Sequence, residues 1–136
     1  MRPVLRAVAG LAVGFLLALA GLAAYRAAVR PTSHPAKARP GEIDVLQAVT
    51  LNPSGPVSVR GYVMSGPYGL RLCRGLKGSS PPDCLGPWLE LDGVNEGSFS
   101  LKSGRRGSTT VSWGPQPVSL LGRVSGAHMA VDHVLQ

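Results

Sequence analysis

Cys73 and Cys84 are the chain's two cysteines, and the pattern around them limits what it can fold into. Residues 56–91 read PVSVRGYVMSGPYGLRLCRGLKGSSPPDCLGPWLEL, short alternating runs broken by Gly, Ser and Pro. Val57, Val59 and Val63 alternate with Ser58, Arg60 and Tyr62; Leu70 and Leu72 with Arg71 and Cys73; Leu89 and Leu91 with Trp88 and Glu90. Alternation with a period of two marks half-buried strands, so three strands are expected, with one cysteine on either side of the second connection. Gly61, inside the first, marks a bulge, a sharp bend or the close approach of another backbone.

The ten residues between the cysteines include Gly75, Lys77, Gly78, Ser79, Ser80, Pro81, Pro82 and Asp83, and read as a loop. A bridge closing it stabilises a small domain by about 3 kcal/mol and requires an oxidising compartment. The alternative is two separate core thiols. A structural zinc site needs four closely spaced ligands, and His128 and His133 fall in a different strand. The C-x-x-C spacing of a redox pair is absent.

Around this stretch, Glu42–Leu51 predicts a short helix with Asp44 as its N-cap, stopped by Asn52-Pro53-Ser54-Gly55-Pro56. Asp92–Gly107 predicts a long Gly/Ser-rich loop with one weak strand at Phe99–Leu101. Its basic residues Lys102, Arg105 and Arg106 are a candidate binding loop for an anion or a lipid headgroup. Strands follow at Ser108–Trp113, Val118–Val124 and Met129–Leu135. Val57-Ser58-Val59-Arg60-Gly61-Tyr62-Val63 and Val118-Ser119-Leu120-Leu121-Gly122-Arg123-Val124 both read V-S-x-x-G-x-V, as expected of two strands bent at the same place to close a barrel.

The N-terminal third is of another kind. Residues 7–25, AVAGLAVGFLLALAGLAAY, carry no charge, and as a helix they span about 28 Å, close to a bilayer's hydrocarbon core. Residues 1–29 are therefore expected to be an uncleaved membrane anchor. A signal peptide cut after Ala18-Leu19-Ala20 is the alternative. Residues 30–41, RPTSHPAKARPG, form a Pro-rich basic linker expected to hold the domain, residues 42–136, off the membrane. Residues 1–41 carry six basic side chains and no acid, whereas residues 42–136 carry eight against seven, so the domain is close to neutral. The high pI thus belongs to the membrane end, which argues against a nucleic-acid partner. Flanking charge slightly favours a cytoplasmic domain, while the cysteines favour one outside the cytoplasm, and the cysteines decide the expectation.

The pattern V-x-V-x-G-x-V, then L-x-L-C, P-P-x-C and V-x-L-x-G-x-V, running from Val57 to Val124, resembles small bacterial membrane-tethered or secreted OB-fold-like domains of unassigned activity. The resemblance implies a mainly β fold, a small OB-like barrel of five or six strands, preceded here by one N-terminal transmembrane helix. Between the third and fourth strands, where many OB-folds place a helix, this chain has its Gly/Ser-rich loop. A tethered barrel is also similar to the cytochrome c haem chaperone, which carries H-x-x-x-Y. His128 is followed at that spacing by Asp132, so haem attachment is not expected. His128 and His133, five apart on one strand, are expected on opposite faces.

Paired carboxylates, a nucleophile with its base, a P-loop and a dinucleotide fingerprint are all missing, so neither enzyme activity, a metal nor a cofactor is expected. The expectation is a non-enzymatic binding or assembly module whose partner is an envelope protein or other envelope component. The alternative is single-stranded nucleic-acid binding on an aromatic and basic face of Tyr62, Tyr68, Arg71, Arg74, Lys77 and Trp88.

Overall fold

The computed structural model describes residues 34–135. The expected membrane anchor lies outside the described residues, among which no helix is long and apolar enough to cross a membrane. The fold is mainly β and forms one sheet. In chain order the elements are β1 (His34–Pro35), β2 (Ile43–Asp44), α1 (Val45–Leu51), β3 (Val57–Gly66), β4 (Gly69–Lys77) and β5 (Asp83–Asp92). A 3-10 turn (Glu96–Ser98) follows, then β6 (Lys102–Arg106), β7 (Thr109–Trp113), β8 (Val118–Ser125) and β9 (His128–Leu135).

Helix α1 forms where the capping chemistry starts it. The Gln47 N–H donates to Asp44 Oδ1 at 2.7 Å, and the Asp44 N–H donates to Gln47 Oε1 at 2.9 Å, a reciprocal capping box. Asn52, at φ 42°, ends it in the left-handed conformation. Its Val45 and Ala48 are fully buried.

The long strands pair in a circuit. β3 pairs with β4, β4 with β5, β5 with β9, β9 with β8, and β8 again with β3. All are antiparallel except β5 with β9. Each strand of the circuit sends residues into one core: Val59 and Val63, Leu72, Leu89 and Leu91, Leu120 and Val124, and Met129. The alternation read from the sequence is the alternation between this core and the outer face.

The two V-S-x-x-G segments lie against each other. Val57 stands opposite Gly122, Val59 opposite Leu120 and Gly61 opposite Val118, so each segment's leading valine faces the other's glycine. Both glycines sit where a third strand presses in. A Cβ on Gly61 would stand 2.7 Å from the Cys73 carbonyl oxygen of β4, and one on Gly122 would stand 2.1 Å from the Ala130 carbonyl oxygen of β9. Of the three features that a glycine inside a strand can mark, the close approach of another backbone is the one found at Gly61, and again at its echo.

Cys73 and Cys84 are bridged, with their Cα atoms 5.4 Å apart. They lie within β4 and β5, not at the ends of a long loop, and the connection shortens to residues 78–82. The Gly/Ser/Pro-rich composition hid this, because Gly75, Leu76 and Lys77 pair with Leu85, Cys84 and Asp83. The register shifts between Cys73 and Gly75, where Gly86 and Pro87 together oppose Arg74 and Gly86 takes φ 71°.

Three further expectations are corrected. Phe99–Leu101 is not a strand. Phe99 and Leu101 turn toward the core, the Ser65 hydroxyl binds the Glu96 carboxylate, and the strand forms one step later. The basic loop at 102–107 is β6 and the start of a tight turn, paired along its length with β7. This hairpin occupies the place where a Gly/Ser-rich loop was expected. His128 and His133 do not lie on opposite faces: Asp132 is an extra residue in β9, so Ser125 opposes His128 and Leu121 opposes His133, four apart on β8 and both outward.

The middle of the Pro-rich stretch is held on the sheet. His34 and Pro35 pair with Leu76 and Gly75, the Ala36 N–H donates to the Arg74 carbonyl at 2.8 Å, and Ala36 is buried.

Candidate functional site

The β3–β4 register sets Arg71 beside Met64, and the β4–β5 register sets Arg71 beside Glu90 and Cys73 beside Trp88. Alternation turns Met64, Arg71 and Trp88 to the outer face, and the Pro67-Tyr68 turn carries the Tyr68 ring to its edge. The Arg71 Cζ lies 5.0 Å from the centroid of Tyr68 and 4.8 Å from that of Trp88, a guanidinium held between two rings. Tyr68 remains 77% exposed and Trp88 40%.

This stack forms one wall of a cavity of about 430 Å³. The β6–β7 hairpin supplies another wall through Arg106, Thr109 and Val111, and the 78–84 stretch contributes Asp83 and Cys84. Arg106 ties these two walls together. Its Nη1 lies 2.6 Å from Asp83 Oδ1, and its Nη2 donates to the carbonyls of Pro81 at 3.0 Å and Pro82 at 3.1 Å. Gly104 leaves room for the Trp113 ring, whose nearest carbons would stand 3.3 Å from a Cβ there.

The residues singled out from the sequence thus divide. Tyr68, Arg71, Lys77 and Trp88 line the cavity, joined by Arg106 from the basic segment. Tyr62 opposes Cys73 on the same outer face but does not line it. Arg74 lies across Gly86, its Cδ 3.2 Å from where a Cβ would stand, and is also outside. Lys102 and Arg105 are exposed on β6 away from the cavity, so the three basic residues do not act as one loop. Sequence reasoning missed Met64, Val111 and the Asp83 partner of Arg106; the position of Asp83 beside Cys84 was the one available signal.

A second cavity, about 490 Å³, is lined by Phe99, Leu101, Pro115, Pro117 and Val134 among others. Arg60 on its border donates to Ser119 Oγ at 3.0 Å, and Ser119 donates to Glu42 Oε1 at 2.5 Å. Burial alone would raise the Glu42 carboxyl. The Ser119 hydrogen bond, the Arg39 backbone N–H and the charges of Arg60 and Arg39 together outweigh it and hold the carboxyl below its ordinary range.

Among the described residues no three His, Cys, Asp or Glu side chains gather to hold a metal ion. His128 Nδ1 lies 3.5 Å from Glu90 and 3.9 Å from Asp92 on the exposed side of the β5–β9 pair. Comparison with protein-family models, with curated proteins and with solved structures gives no match to this chain.

Proposed function

We propose that this chain is a non-enzymatic, membrane-tethered binding module that presents an OB-like barrel outside the cytoplasm and takes its ligand, part of an envelope protein or other envelope component, on the outer face of β3, β4 and β5. Support for the barrel is the circuit of five pairings with its single parallel contact, as in a small Greek-key barrel. Support for the compartment is the Cys73–Cys84 bridge, since such bonds persist in oxidising surroundings. Support for the tether is the uncharged run 7–25.

The observation that carries the reading is the cavity beside the Tyr68–Arg71–Trp88 stack. It combines large exposed rings, an oriented cation and an apolar floor, the features that dominate recognition surfaces. A photo-crosslinking amino acid at position 68 of the full chain, activated in intact cells, tests it. The expected result is a discrete adduct that disappears in Trp88→Ala and is absent when the probe sits at Thr110, exposed on β7. Equal labelling from positions 68 and 110 would overturn the assignment.

The exposed rings beside Arg71 and Lys77 also favour a second reading, single-stranded nucleic acid stacked on Tyr68 and Trp88. An oligonucleotide titration at low and high salt separates the two, because binding through phosphates weakens steeply with salt.

A further inference from the structure

Resting on that assignment of the ligand site, we propose that the cavity takes a carboxylate carried on an apolar or aromatic group, with the Arg71 guanidinium as its anion-binding fork. The first ground is that Arg71 is oriented yet uncommitted. The rings of Tyr68 and Trp88 both hold its Cζ within 5.0 Å, and among the described residues none accepts a hydrogen bond from it. Its Nε is buried without a partner. The residue opposite it on β5, Glu90, is the natural counter-ion, but that carboxylate lies toward His128 at 3.5 Å and makes no ion pair with Arg71.

The second ground is the contrast with Arg106 in the same cavity. Arg106 is bonded to Asp83 and to two carbonyls, so the one acid of the lining is neutralised within the wall. Arg71 and Lys77 are left as the cavity's unpaired cations. The two Nη atoms of a planar guanidinium match the two oxygens of a carboxylate through two parallel hydrogen bonds, which an ammonium does not reproduce. The third ground is the remaining lining, in which Met64, Pro67, Val111 and Trp88 demand an apolar body behind the anion. About 430 Å³ suits an acid of the size of an acylated amino acid or the end of a peptide.

The test uses the full chain in detergent micelles, with N-acetylphenylalanine, its neutral amide and phenyl phosphate as probes, each titrated by isothermal titration calorimetry. The acid is expected to saturate the site, with the amide weaker by at least about tenfold, as for loss of a charge-assisted hydrogen bond. Arg71→Gln is expected to weaken the acid by a similar factor and to leave the amide unchanged, while Arg71→Lys recovers part of the loss. An unchanged disulfide and backbone spectrum show that each variant is folded. Acid and amide binding equally, both lost in Trp88→Ala, would overturn this inference and leave the cavity as the ligand site. Tighter binding of phenyl phosphate than of the acid would overturn it in favour of a phosphate. No probe binding, with the position 68 adduct present, would also overturn it; absence of the adduct as well removes the site assignment itself.

Discussion

Adding one methyl group at Gly122 is expected to be among the most damaging small changes this domain can suffer. The new Cβ would stand 2.1 Å from the Ala130 carbonyl oxygen and 3.1 Å from the Val131 Cα, both backbone atoms of β9. Relief requires β8 and β9 to separate by roughly 1 Å, which carries neighbouring N–H···O contacts beyond hydrogen-bonding range. Losing two such bonds, at about 1 kcal/mol each, on top of about 1–3 kcal/mol for overpacking gives about 3–5 kcal/mol. With a urea dependence of roughly 2 kcal/mol/M, the midpoint falls by about 2 M. Gly61→Ala should cost less, about 2–3 kcal/mol, because two of its three close neighbours are the side chains of Leu72 and Val45, which can shift. Gly55→Ala, with nothing within 4 Å of the new atom, is the control and should be neutral or stabilising by about 0.4–1 kcal/mol. Urea unfolding of the full chain in mild detergent, followed by tryptophan fluorescence, ranks the three. Equal midpoints for Gly122→Ala and Gly55→Ala would refute the reasoning.

Reduction of the Cys73–Cys84 bond, which spans a separation of 11 residues, should lower stability by about 3 kcal/mol in the same assay. Glu42→Gln should destabilise the domain at neutral pH and converge with the parent in acid. A carboxyl held below its unfolded value near 4.5 contributes fully above that value, and its contribution is lost as the pH falls through the lower, folded value. Unfolding midpoints from pH 7 to pH 3 check this, and a gap that persists at the acid end contradicts it. Arg106→Ala should speed amide hydrogen exchange across residues 102–113 while β8 and β9 keep their protection, because it releases the hairpin from the Pro81, Pro82 and Asp83 wall.

Much of the fold was legible because local pattern and tertiary demand agree. The alternation at 57–63 marks the core face of β3, Asp44 caps the helix it precedes, and the glycines of the echo stand where other backbones approach. Where the pattern failed, distant partners set the structure. Lys102–Arg106 contains no apolar side chain and becomes a strand through its neighbour β7 and the Trp113 ring over Gly104. Asp132 carries no mark of an extra residue, and missing it put His133 on the wrong face. The candidate site was half visible. Its aromatic and basic residues were identified, but their grouping depends on a register that sets Arg71 against Glu90 and Cys73 against Trp88. The role of Arg106 rests on carbonyl groups, which no side-chain pattern reports.

The facing V-S-x-x-G segments have a consequence for how the strands find their alignment. The smallest slip that keeps inner residues inward is two positions. In one direction it would set Val57 against Leu120 and Val59 against Val118, with neither glycine facing a valine; in the other it would bring Val59 to Gly122 but Gly61 to Leu120, so only the observed register sets both glycines opposite valines. Side-chain size along these rungs therefore works as a spelling check, admitting one alignment of β3 with β8 and rejecting its nearest rivals before any ligand is met.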